Sequence, residues 1–176
     1  LAETREPLPC QAGKPARQDY EYKRKGVADL FMVFEPLMGK RFVEVTEKRR
    51  KIEWATVMKQ VADEFYPQAE KIVVVLDNLN THTPSAFCET FAPEEARRLA
   101  ERFEFHFTPK HGSWLNMVEI ELSVLVKQCL KRRIPDMDTL QREVAAWQHT
   151  RNAQCATVNW LFNVTDARTR LARFYP

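Results

Sequence analysis

The chain has 176 residues, 44% hydrophobic and 29% charged, with only 4 glycines; this suits one ordinary globular domain and excludes a low-complexity or intrinsically disordered polypeptide. A formal net charge of +3 and a pI near 8.7 are too small to mark a nucleic-acid binder by charge alone, so such a role has to rest on where the cations lie. The four cysteines, Cys10, Cys88, Cys129 and Cys155, form no CxxC pair, which gives neither a zinc spacing nor a disulfide framework and suits reduced thiols. No apolar run reaches the roughly 18–20 residues of a bilayer span and the N-terminus lacks a signal-peptide core, so a cytoplasmic protein without a membrane partner is expected.

Leu1 is not a methionine, and the Pro-rich stretch after it leads us to expect a missing upstream segment. Residues 1–19, with Pro7, Pro9, Gly13 and Pro15 among polar neighbours, read as an extended connector. Tyr20, Tyr22, Val27 and the apolar run 30–34 suggest a strand or strand pair over 20–36. Leu37-Met38-Gly39-Lys40 supplies a turn into a second strand over 41–46, so a β-hairpin is expected. Ile52, Ala55, Met58, Val61, Ala62 and Phe65 recur at helical spacing, and Pro67 ends that helix. The run KIVVVLD, residues 71–77, is too continuously β-branched for a half-exposed strand and reads as a central one covered on both faces.

Thr83-Pro84 is a helix start, with Thr83 as the cap. Residues 93–102 give a short Glu/Ala/Arg helix, and residues 103–107 an alternating strand that ends at Thr108-Pro109. After the loop Lys110-His111-Gly112, Ser113 can cap a long helix whose buried stripe would be Leu115, Val118, Leu122, Leu125, Val126 and Cys129. That helix ends in a basic turn, Lys131-Arg132-Arg133, and residues 138–150 make another with Leu140, Val144 and Trp147 inward. Strands, a helix, then strand-helix-strand-helix describe an α/β domain on one mixed sheet.

Two acids stand out. Asp77 ends the apolar strand and is followed at once by the polar Asn78-Leu79-Asn80-Thr81-His82. Loops at the carboxyl ends of central strands are where α/β sheets gather their chemistry, although Asp also simply opens turns. Glu119 lies beside the apolar stripe of its helix, where a carboxylate is costly unless paired or bound to a metal; a first-turn Glu also suits the helix dipole. Glu121, two positions on, points about 200° away around an ideal helix. Only one of the two can face the same site as Asp77, and the stripe alone does not decide which. Two such acids can share hard cations such as Mg²⁺ through oxygen ligands, and two ions about 4 Å apart suit phosphoryl transfer, normally with a third carboxylate.

The strings VVVLDNLNTH (73–82) and TPKHGSWLNMVE (108–119) resemble the second and third acidic motifs of insertion-sequence DDE transposases of the mariner-related group. The tail, Val158-Asn159-Trp160-Leu161-Phe162 with Asp166-Ala167-Arg168 and Phe174-Tyr175-Pro176, is similar to that group's C-terminal end, so the resemblance covers essentially the whole chain. It implies a ribonuclease H-like mixed sheet flanked by helices, with Asp77 and Glu119 as metal-binding catalytic carboxylates and Mg²⁺, or Mn²⁺ in its place, as cofactor. It also implies Asn80, His82, Lys110, His111, Trp114 and Asn116 around the site. For His82 and His111 a local loop hydrogen bond and a role in contacting DNA or orienting carboxylates both stay open, and Trp114 reads as a packing anchor. The family's first aspartate stands on a first strand that would precede Leu1, as would a helix-turn-helix region. None of Glu3, Asp19 and Asp29 stands in a matching motif. Glu121 stands where relatives commonly carry an aromatic residue.

The resulting expectation is a single transposase catalytic domain over 1–176, lacking its N-terminal part and inactive alone. Its partner would be DNA, at transposon ends and target, with Lys131, Arg132 and Arg133 on phosphates, no small-molecule substrate, and the homodimer usual for such transposases. A non-catalytic remnant or DNA-binding protein is the competing reading; a purely structural domain would leave the paired acids unexplained.

Overall fold

The computed structural model describes residues 1–17, 19–110 and 112–173; of the expected features, His111 and the terminal Phe174-Tyr175-Pro176 lie outside them. The first strands, β1 (Ala2–Glu3) and β2 (Tyr22–Lys23), pair antiparallel, and the chain between them returns through single bridges, Leu8 to Arg17 and Gln11 to Lys14. The stretch read from the sequence as a connector is thus extended chain doubled back on itself.

The expected hairpin follows as β3 (Asp29–Glu35) and β4 (Lys40–Thr46), antiparallel in a register that sets Leu30 opposite Val45, Met32 opposite Val43 and Val33 opposite Phe42. Period-two alternation gives the hairpin two apolar faces. Phe31, Val33 and Phe42 pack into one core with Trp54, Met58, Phe87 and Leu99; Leu30, Met32, Val43 and Val45 pack into another with Leu125, Cys129, Val144 and Trp147. Gly39 turns the hairpin at φ 62°, and a Cβ there would meet the Cys155 carbonyl carbon at 2.5 Å. Only glycine fits both the left-handed conformation and that approach.

Helix α1 (Lys51–Gln60), continued by a π-helical turn at Val61–Phe65, covers the first face of the hairpin. Ala55, Met58, Val61 and Ala62 are buried as expected. Ile52 and Phe65 are exposed instead, and Trp54 and Val57 take the inward positions. A βαβ unit follows, in which β5 (Ile72–Leu76) runs parallel to β6 (Phe103–Phe107), linked by α2 (Ser85–Thr90) and α3 (Pro93–Arg102). Trp54, Phe87 and Phe103 form a run of stacked rings, centroids 5.3 and 6.0 Å apart, that seals α1 and α2 onto β6. Helix α4 (Val118–Leu125), extended by a second π-helical turn at Val126–Leu130, and α5 (Met137–Ala153) cover the second face of the hairpin; α6 (Val164–Leu171) lies in the tail.

The molecule is α/β, with its described strands in three two-stranded sheets. Strands β3 and β5 do not pair but face each other across a cleft of about 750 Å³. The outer edge of β4, by contrast, is closed by α5: Asn152 Oδ1 accepts from the Arg41 amide at 2.9 Å and Gln148 Oε1 from the Val43 amide at 2.7 Å. The expectation that β5 is covered on both faces needs correction. Val74 and Leu76 turn toward the first core, whereas Val73 and Val75 are 62% and 55% exposed, because the helices that pack on this strand lie on one side of it. Among the described residues no helix is long and apolar enough to cross a membrane.

The end of α1 is fastened to α3 by ion pairs: Lys59 to Asp63 at 2.6 Å and to Glu95, and Arg98 to Glu95 at 2.7 Å and to Asp63 at 2.9 Å. Arg98, then Lys59, hold the Glu95 carboxyl down from 4.5 to about 2. A carboxyl depressed on folding adds stability above its unfolded pKa, and that stability disappears as pH falls through the folded value. Glu95→Gln is therefore expected to lower unfolding free energy at pH 7 by up to about 1 kcal/mol, as befits a half-exposed network. In urea titrations the difference from the parent should shrink between pH 4.5 and about 2; a difference that does not vary with pH would contradict the ion-pair account.

Candidate functional site

The cleft between β3 and β5 is lined by both strands, by α1 and by the start of α4, and it brings together Asp77, His82, Asn116 and Glu119 with Arg49. Asp77 is the residue directly after β5, half-buried at the carboxyl end of the strand. The turn after it is tied down at three points. The Thr108 amide donates to the Leu76 carbonyl at 2.9 Å, the Asn78 carboxamide to the Thr108 carbonyl at 2.5 Å, and the His82 amide to the Leu79 carbonyl at 2.9 Å. The last of these returns His82 to its own strand end, where Nδ1 lies 3.1 Å from Asp77 Oδ1.

The His82 ring stacks on Trp54, 5.8 Å between centroids and 22° between planes, and meets Phe31 at 6.2 Å. Burial lowers its pKa; the Asp77 carboxylate opposes that shift, and Arg49 adds to it. A neutral imidazole facing a carboxylate carries its proton on Nδ1 and donates it to Asp77. Its Nε2 is buried with no hydrogen-bond partner among the described residues. The local hydrogen bond read from the sequence is present, and its partner is the Asp77 carboxylate.

Glu119 reaches the cleft from the opposite wall. A short 3₁₀ turn, Ser113–Leu115, precedes α4, and the helix begins where Asn116 Oδ1 accepts from the Val118 amide at 3.2 Å. The side chain that accepts an amide at this helix start is therefore Asn116's and not Ser113's, because the 3₁₀ turn delays the helix by several residues. The buried face of α4 also differs from the expected stripe. Glu121, Leu125 and Cys129 are 1%, 0% and 9% exposed, while Val126 is 49% exposed and Leu115, Val118 and Leu122 line the cleft beside Glu119. Glu121 tolerates burial because Arg41 Nε approaches its Oε2 at 2.9 Å, as an ion pair not aligned as a hydrogen bond, and Arg151 Nη2 donates to its Oε1 at 2.9 Å.

The remaining expected residues stand elsewhere. Asn80 and Lys110 are exposed and outside the lining. Trp114 meets Phe162 edge-on at 5.0 Å but is 41% exposed, so it is held at the surface and not anchored in a core. Arg132 pairs with Glu143 at 2.6 Å. Arg133 binds the N-terminal arm, donating to Glu3 at 2.5 Å and to the Glu21 and Asp19 carbonyls at 2.8 and 2.6 Å, with Tyr22 under its guanidinium; Lys131 is exposed. In another basic run of the sequence, Lys48-Arg49-Arg50-Lys51, Arg50 pairs with Glu53 and Lys51 with Glu89, while Arg49 turns to the cleft. Nothing in the charge run distinguishes Arg49 from its neighbours. Arg41 could have been found: alternation from Val43 and Val45 puts it on the buried face of its strand.

Asp77 and Glu119 offer hard oxygen donors from two walls of one cleft, which is the chemistry a divalent cation such as Mg²⁺ selects. Among the described residues, no group of three His, Cys, Asp or Glu side chains converges as a metal site, so these two acids fit a cation as part of a ligand set and not as a closed one.

Residues 1–141 match a family model described as DDE superfamily endonuclease. No curated protein and no solved structure matches the chain.

Replacing His82 separates its stacking from its polar contact. His82→Ala removes both and is expected to destabilise by about 2–3 kcal/mol, whereas His82→Phe keeps the ring against Trp54 and should lose less than about 1 kcal/mol. Equal losses in urea unfolding would show that the bond to Asp77, and not the ring, dominates.

Proposed function

The chain belongs to the DDE superfamily of endonucleases, proteins of transposase and nuclease type that act on DNA, and we propose that it is the catalytic domain of an insertion-sequence transposase of the mariner-related group. The observation that carries this reading is that Asp77 and Glu119, from two motifs far apart in sequence, line one cleft. In it, residues 1–176 act as one domain that cuts a phosphodiester and joins the freed 3′-hydroxyl to target DNA, with Asp77 and Glu119 as ligands of Mg²⁺ or Mn²⁺. When bound, such a cation supplies an activated water and neutralises charge at the phosphate.

The protein's own residues have distinct tasks. His82, neutral and stacked on Trp54, holds one Asp77 oxygen and so fixes which way the carboxylate turns. The Asn116 bond sets the first turn of α4, from which Glu119 projects. Arg49 offers a guanidinium to a phosphate oxygen at the cleft's mouth. Lys131 remains a second phosphate contact of the same kind, whereas Arg132 and Arg133 already hold protein partners.

The same reading gives the cleft a ribonuclease H-like completion. Strands β3 and β5 turn toward it edges that no described strand pairs, while the outer edge of β4 is closed by α5. A strand laid between them would join the two sheets and bring a third carboxylate. Without it, this chain should nick supercoiled DNA little or not at all in Mg²⁺.

Manganese titration followed by paramagnetic resonance tests the site. Asp77→Asn and Glu119→Gln should each weaken binding by about tenfold or more, as loss of a ligand does; an affinity that neither substitution changes would sink the reading. For Arg49, replacement by Gln should lower DNA affinity and reduce the slope of log affinity against log salt by about 1, the signature of one lost phosphate contact. An unaltered slope would remove Arg49 from the DNA path.

A further inference from the structure

We infer that Glu121, together with Arg41 and Arg151, forms a positioning clamp that sets the roll of α4 and thereby aims Glu119 into the cleft. The inference rests on the reading of Glu119 as a metal ligand and adds to it the device that orients it.

The clamp joins three elements. Glu121 comes from α4, Arg41 from β4 and Arg151 from α5, and the Arg41 and Glu121 side chains are 0% and 1% exposed. Arg41 is itself fixed by four further contacts. It donates to the Gly39 carbonyl at 2.9 Å, to Asn152 Oδ1 at 3.3 Å and to the Ala156 carbonyl at 2.5 Å, and it lies 4.9 Å from the Phe34 ring centroid. The guanidinium is thus a rigid anchor, and the carboxylate has to come to it.

Helix geometry then does the aiming. Successive residues turn by about 100°, so with Glu121 held in the core, Glu119 stands about 200° away and Val118 and Leu122 fall between them on the cleft side. All three line the cleft. Rolling α4 by one residue would withdraw a dry carboxylate from two guanidiniums and leave every member of the triad uncompensated, which an apolar residue at 121 would not enforce. A greasy face tolerates slippage; a buried carboxylate with two fixed partners does not.

Four variants of the whole chain test the clamp by Mn²⁺ affinity and thermal unfolding: Arg151→Gln, Glu121→Gln, Glu119→Gln and, as a control for lost stability alone, Leu99→Ala in the other core. Removing the Arg151 cation would, through its field, tighten binding of a divalent cation; loosening the clamp weakens it. We expect Arg151→Gln and Glu121→Gln to bind Mn²⁺ about tenfold more weakly, with Leu99→Ala at the parent affinity despite a lower melting temperature. Unchanged or tighter binding by folded Arg151→Gln overturns the assignment, as does an equal loss in Leu99→Ala. If Glu121→Gln does not fold, Arg151→Gln decides alone, since it leaves Glu121 paired with Arg41. Should Glu119→Gln leave Mn²⁺ binding unchanged, the metal reading fails separately, and amide exchange across residues 118–122 judges the clamp: faster exchange in Arg151→Gln sustains it, the parent rate overturns it.

Discussion

A carboxylate removed from water has to be neutralised where it lies, and in this chain that requirement falls on Glu121. Breaking one partner from a buried ion pair is disruptive by about 3–5 kcal/mol, a large share of a small domain's stability. The bonds to Arg41 and Arg151 therefore hold β4, α4 and α5 in one mutual orientation more strictly than their apolar contacts could. Burial lowers the Arg41 pKa and the Glu121 carboxylate counters that shift, while a guanidinium keeps its charge in a protein in any case. The second core, with Leu125, Val144 and Trp147 at its centre, is arranged around this fixed point.

The first core is built differently. Stacked rings of Trp54, Phe87 and Phe103 pack with Leu99 and Ala55, both at 0% exposure, and the polar groups stand at the margin, His82 on Asp77 and the Tyr66 hydroxyl on Glu35. Its specificity comes from shape, and its ion pairs, Lys59 with Asp63 and Arg98 with Glu95, lie at the surface and contribute little each. His82 is where the two kinds of construction meet, since its ring belongs to the aromatic stack and its Nδ1 belongs to Asp77.

Much of this was legible in the sequence because it depends on local pattern. The hairpin, β5, α3, β6 and the inward face of α5 follow from alternation, β-branched runs and helical spacing, which short stretches of chain express by themselves. Asp77 was legible because an acid that closes an apolar strand stands out against it. The buried face of α4 was not, since a charged residue reads as solvent-facing until its partners are known, and Arg41 and Arg151 lie 80 and 30 positions away in the chain. The same holds for the delayed start of α4, where a 3₁₀ turn moves the accepting side chain from Ser113 to Asn116, and for the exposed face of β5, which depends on which layers pack on it. The helix α6 is capped by Asn163, whose side chain accepts from the Asp166 amide; that local capping signal is present in the sequence, where only the resemblance of the tail marks this stretch.

The two acids of the cleft are held by different cores. Asp77 rides on β5, packed against the aromatic stack, and Glu119 rides on α4, fixed by the ion triad. One element belongs to both: the β3–β4 hairpin gives Phe31 and Val33 to the first core and Leu30, Met32, Val43 and Val45 to the second. Interiors are packed densely enough that such a shared wall transmits displacement instead of absorbing it. The separation of the two carboxylates is therefore a property of the hairpin, and a change of volume at Phe31 or Val43, each remote in sequence from both acids, would be felt as a change in how they face one another.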